Sequence, residues 1–284
     1  MNPRRSTSLK LSRRAFLRWA MGVALTPAVG WLYAAEVELR WLQIERVNVS
    51  LPRLPSAFAG LTIGQISDFH VGPYIGAAEV RAAVQAMLTL NADLIVITGD
   101  FVSSLAHHEA EILETELAPL HAPLGCYAIM GNHDWWNDRK VVRAAVERAG
   151  ITMLQNAAAP LTRAGQTLHI VGLDDYMVGK TNWAQAMEGV PADAAVLLLI
   201  HEPDYADIAA TDARCVLQLS GHSHGGQVRL PGLGTRWLPQ YAHRYPIGLQ
   251  RVQNMWVYTN RGIGVTGVPV RFNCRPERIA SLEM

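Results

Sequence analysis

The chain is poor in cysteine, poor in charge and free of repeats, and each lack narrows what it can be. Its 284 residues hold three cysteines, Cys126, Cys215 and Cys274, an odd number set far apart. That spacing excludes a disulfide framework and a zinc knuckle, and the three read as small buried side chains. Only 17% of the residues are charged and 50% are hydrophobic, which excludes a disordered chain and suits one large α/β domain. Acidic residues are missing from the amino terminus, where six basic residues precede the first acid, Glu36. Without those six the remainder is net acidic by about five charges, so there is no global electrostatic basis for binding nucleic acid.

What the amino terminus does contain is an address. Ser12-Arg13-Arg14-Ala15-Phe16-Leu17-Arg18 leads into an apolar run from Trp19 to Ala35. A twin arginine before a modest hydrophobic segment resembles a twin-arginine export signal, read by machinery that carries folded proteins. A basic-flanked membrane anchor is the other reading, since 17 residues is at the lower limit for crossing a bilayer. Tyr33 spoils a small-x-small cleavage site before residue 36, and Ala28-Val29-Gly30 is a weaker one, so cleavage and retention both stay open. In either case positive charge on the amino side places the remainder across the cytoplasmic membrane, in the cell envelope. The expected organisation is a signal or anchor over 1–35, a lead-in strand segment over 36–60 and a catalytic domain over 61–284.

Alternating apolar residues (Leu42, Ile44, Val47, Val49, Leu51) make 36–55 read as a strand. Further strands are expected at 61–66, 94–97 and 124–130, separated by helices over 79–90 and 107–120 and followed by one over 141–149. The second half is richer in strands: 168–173, 195–200, 215–219, 227–230 and 255–259. The Gly- and Pro-rich stretch 231–248 is a long loop, of the kind that is usually functional. Strands alternating with helices, then strands with shorter connections, predict stacked sheets flanked by helices.

Five of these strands end in residues that ligate metals: Asp68 and His70, Asp100, Asn132, His201, and His222 with His224. Residues two apart on an extended chain point the same way, so each of the two pairs is expected to offer both side chains to one pocket. Gly99, Gly131 and Gly221 sit just before ligand positions, where close backbone approach favours glycine. Mixed nitrogen and oxygen donors without cysteine suit manganese, iron or zinc. A bridging carboxylate, two sets of imidazoles and one amide oxygen describe a dinuclear hydrolytic centre. Its two cations, about 3.5–4 Å apart, grip the attacking and leaving oxygens of a phosphoryl group.

Asp68-x-His70, Gly99-Asp100, Gly131-Asn132-His133-Asp134, His201 and Gly221-His222-x-His224 resemble, in order and spacing, the motif blocks of the calcineurin-like metallophosphoesterase superfamily, over about residues 61–226. The resemblance implies a four-layer sandwich of stacked mixed β-sheets and a pair of divalent ions, manganese foremost, with iron or zinc as alternatives. It puts Asp68, His70 and His224 on one metal, Asn132, His201 and His222 on the other, and Asp100 between them. His133 is then no ligand but protonates the leaving oxygen or stabilises the transition state, with Asp134 orienting its ring. The implied reaction is cleavage of a phosphodiester or pyrophosphate by a metal-activated hydroxide. Ser103 departs from the pattern, since many relatives carry an acid there that is not a ligand.

The block Asn260-Arg261-Gly262-Ile263-Gly264 through Pro269-Val270-Arg271-Phe272, with Gly225-Gly226-Gln227, resembles the exported or membrane-anchored bacterial branch of that superfamily. That branch implies phosphodiesterases and UDP-2,3-diacylglucosamine diphosphatases of lipid A synthesis. A diphosphatase of that kind meets its substrate on the cytoplasmic face, whereas the charge pattern predicts the opposite face. An envelope phosphodiester or another lipid-linked pyrophosphate suits an exported domain better. Arg261 and Arg271 are read either as phosphate contacts or as structural ion pairs. Trp135 and Trp136, with Trp237, Leu238, Tyr241 and Tyr245, form either an apolar lip for a lipid-linked substrate or plain loop anchors. The competing function is a membrane-tethered binding protein whose metals are structural or vestigial.

Overall fold

The structure is a computed structural model that describes residues 12–41, 43–51, 53–103, 107–235 and 237–283. Its centre is set by strands that are apolar at every position. In β3 (Leu94–Ile97) all four residues are buried, because alternate side chains enter two different cores. Leu94 and Val96 face inward to a second sheet, and Ile95 and Ile97 face outward to helices. The same division holds across the molecule in β8 (Val196–Leu199), where Leu197 and Leu199 face inward and Val196 and Leu198 outward.

Ten further strands complete two six-stranded sheets. The first runs in the order β1 (Gln43–Asn48), β12 (Glu277–Glu283), β2 (Thr62–Ile66), β3, β4 (Cys126–Ala128) and β5 (Thr152–Met153). The second runs β10 (Gly248–Val252), β11 (Met255–Thr259), β9 (Cys215–Ser220), β8, β7 (Gln166–Gly172) and β6 (Ala157–Arg163). β2 to β5 are parallel, as are β7, β8, β9 and β11, so the carboxyl ends of the central strands collect at one end of each sheet. Helices α2 (Ala77–Leu88), α3 (His107–Leu117) and α5 (Arg139–Arg148) cover the outer face of the first sheet; the short α6 (Trp183–Ala186) and α7 (Ala206–Ala209) cover the second. This is the expected sandwich of stacked mixed sheets flanked by helices.

Several local expectations are corrected. The segment 36–40 is helical rather than extended, and only β1 of the lead-in segment is a strand. The strand before Gly131 is three residues long, because Gly125 enters it at φ +97° and the chain turns into the site after Met130. Residues 227–230 form no strand; only isolated bridges pair Val228 with Phe272 and Leu230 with Gly234. Gly225, Gly226 and Gln227 all have positive φ, which bends the chain before it can extend. Strand β6 carries Pro160 and three alanines, so it has no apolar alternation to announce it, and it is tolerated because it is an edge strand.

The amino-terminal helix α1 (Arg13–Leu32) starts on the side chain of Ser12, which accepts from the Ala15 N–H. It does not stop at residue 35. A π turn and a 3₁₀ turn carry it to Arg40, making 28 helical residues, long and apolar enough to cross a membrane. Its far end is built into the body. The Ala34 carbonyl accepts from Arg271 N–H at 3.0 Å, and the buried Glu38 carboxylate accepts from Cys274 N–H at 2.6 Å. The three cysteines are buried and unpaired.

Leu199→Ala, in the core between the sheets, is expected to lower the unfolding free energy by about 2–5 kcal/mol. Thr162→Ala, on the exposed face of β6, should change it by less than about 0.5 kcal/mol. Urea denaturation of the two variants side by side checks this.

Candidate metal centre

The carboxyl ends of both sheets meet at one place, and every candidate ligand is there. Asp68 and His70 follow β2, Asp100 follows β3, Asn132 follows β4, His201 follows β8, and His222 and His224 follow β9. Asp68, His70, Asp100, Asn132, His201, His222 and His224 are all buried. The pairs do not converge by strand alternation, as expected from the spacing, because β2 ends at Ile66 and β9 at Ser220. Instead Asp68, His70, Asp100, His222 and His224 adopt left-handed backbone with φ between +49° and +68°. Each such residue stores about 1–3 kcal/mol that the surrounding fold must hold. Glycine serves the close approach between loops: a Cβ on Gly131 would collide with the Asp100 carboxylate, and one on Gly99 would meet the His201 ring at 2.8 Å.

At the centre, Asp100 Oδ2 lies between two imidazoles, 3.4 Å from His70 Nε2 and 3.1 Å from His201 Nε2. Asp68 Oδ1 is 3.4 Å from His224 Nε2, which faces His70 Nε2 at 3.0 Å. The ligand-bearing atoms fall into groups spanning no more than 4.8 Å: Asp68, His70 and His224; Asp100, His201 and His222; and His70, Asp100 and His133. Asp100 stands between His70 and His201 and so adjoins the first two groups.

Main-chain carbonyls set the tautomers. His201 Nδ1 donates to the Thr98 carbonyl at 2.6 Å, and His222 Nε2 donates to the Gln240 carbonyl at 2.8 Å. Each ring then has one bare nitrogen left for a cation. His201 Nε2 is buried 3.1 Å from Asp100 Oδ2, and Asn132 Oδ1 is buried with no partner at all. A proton on His201 or a cation between the two groups would satisfy that pair, and a cation would also engage the unpartnered Asn132 oxygen. The donor set therefore fits divalent metals. Burial, then the charge of His201, pushes the His222 ring down to about 3, which keeps it in the neutral, ligating form. Burial alone would raise Asp100, but the His201 and His70 rings hold it well below the usual carboxylate range.

Asp134 is bonded differently from the expectation that it orients the His133 ring. Its carboxylate accepts four or more backbone N–H groups, from Asp100, Phe101, Val102 and Gly131, between 2.9 and 3.3 Å. It caps the short helix α4 (Asn132–Trp136) and ties that helix to the Asp100 loop. The Ser103 backbone acts on the His133 ring instead, opposing in part the fall that burial causes in its pKa. Asp100 Oδ1 in turn accepts from the His133 N–H at 2.9 Å, so the central carboxylate also holds this loop.

Above the cluster opens a cavity of about 960 Å³. Asp100, Asn132, His133, His222 and His224 form its polar floor, and its walls are largely apolar. The aromatic residues divide. Trp136, Trp237 and Leu238 line the cavity, whereas Trp135 is anchored by its Nε1–H on Asp174 at 2.9 Å under the Arg139 guanidinium. Tyr241 packs against Tyr176 with ring centroids 4.8 Å apart, and Tyr245 donates to Asp207 at 2.7 Å, so both fasten the 231–248 loop. Neither arginine reaches the cavity. Arg261 pairs with Glu277 and Glu45, and the fully buried Arg271 donates to the carbonyls of Arg261, Gly262, Gly264 and Cys274. The residues that the sequence left unmarked are Thr98 and Gln240. They act through carbonyl oxygens, which leave no side-chain signal.

A sequence model described as calcineurin-like phosphoesterase matches residues 61–226. The chain is 34% identical over 277 residues to the uncharacterized metallophosphoesterase YkuE of Bacillus subtilis, covering 94% of this chain and 96% of that one. It is 28% identical to the phosphodiesterase YaeI of Escherichia coli (96% and 99% covered). It is 26% identical to the UDP-2,3-diacylglucosamine pyrophosphatase LpxG of Chlamydia trachomatis (85% and 89% covered). Among solved structures, the sulfate thiohydrolase SoxB of Thermus thermophilus shares the fold, with a TM-score of 0.50 at 12% identity over 81% of this chain and 57% of that one.

Removing the Asp134 carboxylate strands its backbone donors in the interior, at about 1–3 kcal/mol for each unsatisfied group. Asp134→Ala is expected to lower the thermal midpoint of the metal-free protein sharply. A residue serving only the His133 ring would leave that midpoint in place.

Proposed function

Since this chain belongs to the calcineurin-like phosphoesterase family and is a metallophosphoesterase, we propose that it hydrolyses phosphodiester or pyrophosphate bonds of a lipid-linked substrate at the Asp100 cluster. The observation that carries the reaction is the position of Asp100 Oδ2 between the His70 and His201 rings. One carboxylate oxygen shared by two imidazole sets is what a pair of metals requires of its protein. In this reading Asp68, His70 and His224 hold one divalent cation, Asn132, His201 and His222 the other, and Asp100 both. Manganese suits these nitrogen and oxygen donors, as do iron and zinc. When bound, such a pair supplies Lewis-acid charge to the phosphoryl oxygens and an activated water.

The chain's own contribution is orientation and proton handling. His133 is half-buried at the cavity floor, with its ring 4.6 Å from that of His70. In the imidazolium form the ring has an N–H to donate to the leaving oxygen. Burial holds the His133 ring below its ordinary value, with Asp100 and the Ser103 backbone opposing that fall only in part. Asp134 acts by holding the loop that carries Asn132 and His133 against Asp100.

The cavity walls support a lipid-linked substrate. Trp136, Trp237, Leu238, Val268 and Phe272 surround the space above the floor, and Pro27, Gly30, Trp31 and Ala34 of the amino-terminal helix close one side. Apolar walls over a charged floor suit a phosphate joined to an acyl or prenyl chain. The Chlamydia relative is named for a diacylated substrate. The helix is read as a retained anchor, because cleavage after residue 35 would remove the Ala34 carbonyl that Arg271 binds. Positive charge before it supports a catalytic body on the outer side of the cytoplasmic membrane, after export by the twin-arginine machinery.

Asp100→Asn is expected to lose metal along with activity, and His133→Ala to keep two metals per chain while turnover falls about 10²–10⁴-fold. Elemental analysis with release of nitrophenol from a manganese-supported phosphodiester assay reads both. Two metals per chain in the Asp100 variant would sink the bridging role, and unchanged turnover in the His133 variant would favour structural metals. The intact mass of the protein isolated from membranes should include residues 13–40, and a reporter joined to its carboxyl terminus should be active only outside the cytoplasm.

A further inference from the structure

We propose that the rim of the cavity is a membrane-docking surface. In this proposal the turn at Leu230–Gly234, with Trp237, Trp136 and Val268, enters the interfacial layer of the bilayer that α1 crosses. Large apolar side chains are left in solvent around the cavity mouth: Trp237 is 75% exposed, Leu233 66%, Trp136 58% and Val268 53%. Scattered exposed apolar residues are ordinary, but these cluster around one opening. Leu233 stands at the tip of a tight turn closed by two backbone hydrogen bonds between Leu230 and Gly234, at 2.8 and 2.9 Å. Gly232 and Gly234 take positive φ to make that turn, so the exposed leucine is held out by a defined backbone.

The occupant is identified by the helix that shares the same opening. Pro27, Gly30, Trp31 and Ala34 recur at helical spacing and line one wall of the cavity. The preceding turns project away from the body with Phe16, Leu17, Trp19, Met21 and Leu25 in the open. A bilayer core of about 30 Å takes roughly 20 helical residues. A span that begins at Arg14 therefore ends near residue 33, and the part of the cavity mouth beside Trp31 and Ala34 sits at the level of the headgroups. Tryptophans gather at that depth in membrane proteins, where an apolar ring with one N–H is best solvated. Trp31, Trp136 and Trp237 all stand around this mouth. The rim would then let a membrane-held substrate pass to the floor without crossing water. The surface goes beyond the reaction assigned above and is tested without turnover.

The three native cysteines are buried, so a thiol-reactive fluorophore can be placed on the full chain in lipid nanodiscs at Leu233→Cys, with Trp237→Cys as a second position. Thr167→Cys, at the amino end of β7 and therefore at the opposite end of the sheet from the site, is the reference. The labels at 233 and 237 are expected to lose most of their emission in nanodiscs of phospholipid brominated along the acyl chains and to resist aqueous iodide. The label at 167 should do the reverse. Quenching of 233 and 237 by iodide alone would overturn the proposal. Protection from both quenchers would overturn it too, since a second copy of the chain or another protein would then cover the rim.

Discussion

Two carboxylates and four imidazoles share a volume from which water is excluded, and the rest of the site depends on meeting that constraint. Asp68 and Asp100 are buried almost completely, and burial by itself would raise both carboxyl groups. Their remaining lone pairs are taken up by backbone. Asp68 accepts the His222 N–H across the gap between the two sheets, and Asp100 accepts the His133 N–H across neighbouring loops. The same groups that offer charge to a metal therefore also fasten the loops that carry the other ligands. A substitution at either acid acts on both functions at once.

The cost of this arrangement is visible in the backbone. Five candidate ligand positions occupy left-handed conformations that a Cβ disfavours, and they are held by loops that brace one another. Asp134 is the principal brace, collecting N–H groups from the Asp100 loop and from its own helix start. Glycines at 99, 131 and 221 remove the side chains that would keep these loops apart. The apolar strands behind them supply the rigidity, since β2, β3, β8 and β9 are buried on both faces.

The amino-terminal helix is joined to this centre through the carboxyl-terminal block. Ala34 bonds to Arg271, Glu38 bonds to Cys274, and the Cys274 thiol reaches the His224 carbonyl at 3.3 Å. Arg271 meanwhile clasps the 261–264 turn, whose Gly262 and Gly264 lie directly against Asp68 and His70. Only Cys274 thus stands between the amino-terminal helix and His224 of the metal-site cluster.

Much of this was legible in the sequence alone. Runs such as Leu94–Ile97 are apolar at every position, a pattern that only a strand buried on both faces satisfies, and acids and histidines at the ends of such runs mark where the ligands gather. The two-sheet architecture and the family follow from those local signals. Tertiary structure decided what depends on backbone direction and on partners distant in the chain. Spacing suggested that Asp68 and His70 converge by strand alternation, whereas left-handed turns aim them. Asp134 looked like the partner of its neighbour His133, but besides Gly131 its carboxylate takes the N–H groups of residues 100–102, more than thirty positions away in the chain. β12 joins the first sheet from the far end of the sequence, and carbonyl oxygens at Thr98 and Gln240 orient two rings. A carbonyl is present at every residue, so only the folded chain determines which ones face a histidine.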